Sequence, residues 1–198
     1  MNSKNPNHPK KGCSTLVEPI RTKAAIRRIK KRLYDSPRNH ALFVFGINTA
    51  YRAQEILSVR VSQVRKLKPG DELKIFQPKT KSYRRVSVNG PAVDCVQRLL
   101  GSRFYYDNDF LFQSRRFPEE PIQVVYLSRL VKEWCRDEGL EGNFASHTLR
   151  KTWGHWQYKR KTHLATIMKA FGHSTEAQTM AYLCIHPRDV AKLYKMEL

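Results

Sequence analysis

Apolar positions along this chain recur at two periods, one helical and one of strands. Ile20, Ala24, Ile26, Ile29 and Leu33 stand among Arg21, Lys23, Arg27, Arg28, Lys30, Lys31 and Arg32, which predicts a helix over 20–34 with one apolar stripe and a cationic remainder. Ser36-Pro37 reads as a helix start, a capping serine followed by a proline whose missing N–H falls in the unpaired first turn. The run Ala41-Leu-Phe-Val-Phe-Gly-Ile47 is apolar all round and predicts a buried helix. A short helix is expected from Arg52 to about Val59. Leu73-Lys-Ile-Phe76 and Arg85-Val-Ser-Val88 then alternate with period two around the polar Pro78-Lys-Thr-Lys-Ser-Tyr83, the pattern of a β-hairpin with a basic connection. Pro91 opens a helix through Leu100, and Phe110-Leu-Phe112 reads as a last short strand. From Val124 the period is helical, over about 124–138, 147–161, 163–171, 176–184 and 187–197. Thr175-Glu-Ala-Gln178 has the form of a capping box and starts the fourth of these at Glu176, while Pro187 suits the first position of the fifth. The expected fold is mainly α with a small antiparallel β-sheet (α+β), one domain over 19–198 behind a flexible basic tail at 1–18.

Charge narrows the function. Lys and Arg total 37 against 17 Asp and Glu, a formal net charge of +20. With 40% hydrophobic residues the chain has the means to build a core, so it is no disordered polycation, and a polyanion is its expected large partner. No apolar run approaches the roughly 20 residues of a membrane helix; by charge alone acidic membrane surfaces are the second choice after a polyanion, and no membrane is expected as the partner. The first dozen residues lack the apolar stretch of a secretory signal. Cys13, Cys95, Cys135 and Cys184 stand far apart without a CxxC pair and are read as reduced thiols of a cytoplasmic protein. The histidines form no HExxH, and no carboxylate-rich metal site or Walker motif occurs, so neither a metal nor a nucleotide cofactor is expected.

Several basic groups sit where helices would aim them together. His147 and Arg150 are three apart and share a helix face, as do Arg52 and Glu55, where the carboxylate can orient the guanidinium and leave donors free. Gly172-His173 precedes the capped helix bearing Tyr182 by nine residues, and the hairpin supplies Lys79. Taken singly, each has an ordinary explanation: Arg52 with Glu55 as a helix ion pair, His147 as a cap or core histidine like His155 and His163, Tyr182 as a packing aromatic.

Taken jointly, they resemble the tyrosine recombinase family, the phage-integrase type of site-specific recombinase. The family's first box, Thr-Gly-Leu-Arg with Glu-Leu-Leu behind it, appears as Thr49-Ala-Tyr-Arg52 with Glu55-Ile-Leu. Its second, His-x-Leu-Arg-His/Lys-Thr, appears as His147-Thr-Leu-Arg150-Lys-Thr. Its third, Leu-Gly-His followed nine residues later by a tyrosine, appears as Phe171-Gly-His173 and Tyr182, and its hairpin motif as Lys79-Thr-Lys. The competing Tyr158 and Tyr194 lack the Gly-His spacing, and motif register favours Lys79 over Lys81. Ala50 and Tyr51 replace the family's Gly and Leu, and Cys184 stands where members often have a histidine, with His186 beyond it.

The resemblance implies an integrase-type catalytic domain that cleaves and rejoins double-stranded DNA through a 3′-phosphotyrosyl intermediate. Arg52, Arg150 and His173 would hold the nonbridging phosphate oxygens, Tyr182 would attack, His147 would be its base-side partner, and Lys79 would protonate the leaving 5′-oxygen, with Glu55 in support. Because the phosphotyrosyl bond retains the ester, religation would need no ATP. The resemblance also implies a homotetramer on synapsed DNA, docked through the segment after the tyrosine, with a monomer as the free form. Family members carry a core-binding domain ahead of the catalytic one. This chain has no room for it and reads as the short, catalytic-domain-only form, for which accessory DNA-bending proteins are conceivable partners. Two other readings compete: a non-catalytic DNA-binding regulator on an integrase-like fold, against which the complete residue set speaks, and a type IB topoisomerase, which shares the chemistry but is disfavoured by the integrase-type boxes.

Overall fold

In a computed structural model, residues 16–77 and 81–184 are described. Residues 1–15 of the expected tail, Lys79 and the expected helix over 187–197 lie outside them, while Glu18, the last residue of the expected tail, is tied down by its N–H donating to Asn143 O at 2.8 Å. The described elements are α1 (Lys23–Arg32), α2 (Pro37–Thr49), α3 (Ala53–Leu57), α4 (Val61–Val64), β1 (Glu72–Gln77), β2 (Ser82–Ser87), α5 (Gly90–Leu100), α6 (Val124–Asp137), α7 (Ser146–Lys159), α8 (Leu164–Phe171) and α9 (Glu176–Tyr182). The class is the expected one, mostly helical with a two-stranded antiparallel sheet. Among the described residues no helix is long and apolar enough to cross a membrane.

The all-apolar stretch of α2 explains the architecture. Ala41 through Gly46 are buried, so this helix must be covered on all sides, and α5 and α7 pack on it while α6 packs on α7. Phe43 meets Trp134 of α6 edge-on at 5.9 Å, and Phe45 packs on Tyr51 and Phe112. A smaller cluster of Ala50, Ile167, Phe171 and Leu183, with Trp153, Leu164 and Tyr182 against it, forms a separate floor at the C-terminal end of α2.

Several sequence expectations shift. Pro37 opens α2 as expected, but Ser36 makes no side-chain cap. The stretch from Arg52 is interrupted: α3 ends at Leu57, and α4, not foreseen, follows from Val61. Phe110-Leu-Phe112 is no strand. Phe110 forms only an isolated bridge with Arg60, because the neighbouring Leu111 and Phe112 are fully buried in the core rather than alternating across a sheet. At α9 the Thr175 hydroxyl accepts from Gln178 N at 3.1 Å, but the Gln178 side chain caps Ser174 N instead of Thr175, so the box is only half reciprocal. The three described cysteines are free and buried.

The cationic face of α1 is divided. Arg28 and Arg32 both bind Glu138 beyond the end of α6, at 2.8 and 2.7 Å, and that carboxylate is only 6% exposed. Lys23 and Arg27 stay exposed on the same helix.

Candidate active site

Two chain reversals build the site. α2 stops at Ala50, whose left-handed φ of 53° turns the chain sharply. Arg52 then caps α3, and the Glu55 side chain returns to accept from Arg52 N at 2.6 Å. α8 stops at Gly172, φ 62°, a conformation that costs glycine nothing. Gly172 N donates to Lys169 O at 3.0 Å and His173 N to Met168 O at 3.1 Å, the paired bonds of a Schellman ending. α9 then carries its last residue, Tyr182, back over the end of α8.

Arg150 lies at the centre, with a side chain only 2% exposed. One guanidinium nitrogen donates to Ala50 O at 2.6 Å and another to Phe171 O at 2.6 Å. Both acceptors are carbonyls at helix C-termini, which carry partial negative charge and suit a cation. Burial, with the Arg84 charge second, pulls the Arg150 pKa down to about 9. Tyr182 stands beside it: Phe171 supports the Tyr182 ring edge-on at 5.1 Å, and Lys151 Nζ lies 4.8 Å from its centroid. The Tyr182 hydroxyl is 3.2 Å from His147 Nδ1. Burial raises the phenol's pKa, while the Arg150, Arg52 and Arg84 charges oppose that rise. Burial, then the Arg150, Lys151 and Arg52 charges, lowers His147. His173 packs on Phe171 and Tyr182, each at 5.1 Å, with Nδ1 3.0 Å from Thr179 Oγ1. Its pKa falls to about 4 through burial and the same cationic field.

Glu55 organises the arginines. Its carboxylate, 8% exposed, receives Arg52 at 3.1 Å, Arg84 at 3.4 Å and the Gln77 amide, with Arg150 at 4.0 Å. Burial alone would raise the Glu55 pKa, but hydrogen bonds from Arg52 N–H and Gln77, with the Arg84 and Arg52 charges, bring it below the ordinary carboxylate range. Three guanidinium groups around one carboxylate leave a positive surplus, and Arg52, 43% exposed, opens it to solvent. Among the described residues no group of three or more His, Cys, Asp or Glu is placed to hold a metal ion.

Five residues from three separate motifs, Arg52, His147, Arg150, His173 and Tyr182, thus converge, with Glu55 beneath them; Lys79 falls outside the described residues. Arg84 was missed. Its signal lay in the alternation of β2, where Tyr83 and Arg85 face solvent and Arg84 shares the inward side with Val86.

The fold is that of tyrosine recombinases. The structure matches the XerA recombinase with a TM-score of 0.73 at 19% identity, covering 95% of this chain and 66% of that one. It matches the XerH site-specific recombinase bound to palindromic difH substrate with a TM-score of 0.72 at 19% identity, covering 91% and 53%. The chain therefore spans two thirds or less of these solved proteins. In sequence it is similar to the probable integrase/recombinase YoeC of Bacillus subtilis (strain 168), 31% identical over 187 residues, which cover 91% of this chain and 97% of that relative. The phage integrase family model matches residues 21–188, and the chain belongs to that family.

Proposed function

We propose that this chain is a site-specific recombinase that cleaves and rejoins double-stranded DNA through a 3′-phosphotyrosyl intermediate, without a metal or ATP. The observation that carries the reading is the Tyr182 hydroxyl, 3.2 Å from His147 Nδ1 and beside a surplus of guanidinium charge. Arg52 and the remaining donors of Arg150 take the nonbridging oxygens, where charge grows as phosphorus becomes five-coordinate. His173 Nδ1 lies 3.0 Å from Thr179 Oγ1, and in the tautomer whose Nδ1 accepts from that hydroxyl, Nε2 carries the proton and is a further donor to the phosphate. The Tyr182 oxygen attacks phosphorus and the bond to the 5′-oxygen breaks. The phenol proton passes to His147, and the leaving oxygen takes a proton from Lys79. The ester bond is conserved as a phosphotyrosine, so attack by a 5′-hydroxyl reverses the step without added energy. Exchange between two duplexes requires four cleavages, hence four protomers on the synapse.

The test is a suicide substrate, a nicked duplex carrying sequences that flank the gene. The wild-type chain should form an SDS-resistant covalent adduct, and Tyr182→Phe should bind the same DNA and form none. DNA binding without any adduct from the wild type would identify a non-catalytic binding protein instead. Relaxation of supercoils without strand exchange would identify a topoisomerase.

A further inference from the structure

Arg84 occupies an inward position of β2, opposite Ile75 of β1, and its side chain is 10% exposed. A charged group there needs a destination for its donors. One lies at the end of α8. The Schellman ending satisfies the carbonyls of Met168 and Lys169 and leaves those of Ala170 and Phe171 without helical partners. Arg84 donates to Ala170 O at 2.5 Å, and Arg150 donates to Phe171 O at 2.6 Å. The same two arginines meet again at Glu55 Oε2, at 3.4 and 4.0 Å. The contacts close a ring from Glu55 through Arg84 to the end of α8 and back through Arg150. The Arg84 guanidinium also sits 5.5 Å from the ring centroid of Tyr51, next to Arg52 in sequence.

We infer that Arg84 is a positioning residue for DNA cleavage: it fixes the turn that presents His173, and the Glu55 carboxylate, relative to Arg150, and does not itself bind the phosphate. Its donors are directed to protein acceptors on two different elements, which only a forked guanidinium reaches at once. A lysine has a single nitrogen where Arg84 uses two, Nη1 on Glu55 and Nη2 on Ala170 O. This inference rests on the recombinase reading above.

The test compares wild type, Arg84→Met and Arg84→Lys for adduct formation on the suicide substrate under single-turnover conditions, with DNA affinity and urea midpoint measured on each. A misplacement near 1 Å at the reacting centre costs about 100-fold, and Arg84→Met should lose about that much rate at saturating DNA with affinity unchanged. Arg84→Lys should fall between, because it restores one contact. A wild-type rate in Arg84→Met overturns the inference, and so does a loss that extra DNA recovers, since that would make Arg84 a DNA contact. Should Arg84→Met fail to fold, Arg84→Lys decides: a reduced rate at saturation with a native urea midpoint supports positioning, and a wild-type rate overturns it. If the wild type itself forms no adduct, the recombinase reading fails and this inference falls with it.

Discussion

The Tyr182 hydroxyl and His147 Nδ1 lie 3.2 Å apart although 35 positions separate them in the chain. Both pKa values are moved, the phenol up and the imidazole down, with burial the first cause in each case. The phenol therefore does not ionise unaided near neutrality, and the imidazole is neutral there and ready to accept. Removing the acceptor as His147→Ala should slow adduct formation by about 10²–10⁴-fold. The pH profile separates this role from simple packing. Wild-type cleavage should fall only as pH drops through the lowered His147 value, below 6.5. The residual rate of His147→Ala should instead climb continuously toward pH 10, as the unassisted phenol ionises. A pH-independent residual rate would remove His147 from the proton path.

Acid should destabilise the free protein in two stages. The folded-state values of His147 and His173 lie below 6.5, that of His173 at about 4. Between about 6.5 and 4 the unfolded chain binds more protons, so stability is full above 6.5 and falls as pH is lowered through that window. Glu55 is also held low, so its contribution is present above 4.5 and disappears as pH falls through its folded value. Urea unfolding between pH 7.5 and 4 should show the decline, and His173→Gln should flatten its upper part. An unchanged slope in that variant would mean that His173 is not held neutral.

Much of this arrangement was legible in the sequence because it depends on local rules. Three-residue spacing placed His147 with Arg150 and Arg52 with Glu55, Pro37 marked the start of α2, and Gly172 with Thr175 marked the reversal between α8 and α9. Phe110-Leu-Phe112 misled because a short apolar run fits a strand and a buried loop equally well, and only tertiary burial decides between them. Arg84 escaped notice for a related reason. A basic residue in a basic hairpin looks solvent-facing until the free carbonyl of Ala170, 86 positions away, is seen against it.

The basic residues of α1 should divide into two classes. Arg28 and Arg32 are ion-paired to Glu138, whereas Arg27 is exposed on the same helix with no acidic partner among its described ion pairs. Each phosphate neutralised contributes about 0.9 to the log–log salt slope of DNA binding. Arg27→Ala should lower the slope by about that amount if this face meets DNA. Arg28→Ala should lower the slope by less than Arg27→Ala, since the Arg28 guanidinium is held beside Arg32 on the one Glu138 carboxylate, which leaves a single surplus charge between the two arginines. Equal slope losses in the two variants would show that DNA displaces the Glu138 pairs.

Gly154 tests the floor beneath the site. It lies in α7, where alanine is intrinsically preferred by about 0.8–1.0 kcal/mol. A Cβ there, however, would overlap the Phe171 ring at Cζ and approach Phe171 Cε2 and Leu183 Cδ2, each at 2.8 Å. Phe171 is fully buried and cannot swing into solvent, and His173, Tyr182 and the Arg150 guanidinium all rest on its ring. Overpacking of this kind costs about 1–3 kcal/mol, which exceeds the helix preference, so Gly154→Ala should be less stable than wild type by urea denaturation. Displacement of the ring should also reduce adduct formation more than DNA affinity, because the reacting groups shift while the exposed cations do not. Shortening the ring as Phe171→Leu in the Gly154→Ala background should restore stability, but not the cleavage rate, since the support under Tyr182 and His173 is then lost. A Gly154→Ala protein more stable than wild type would show that the floor yields to the added methyl and does not fix the site.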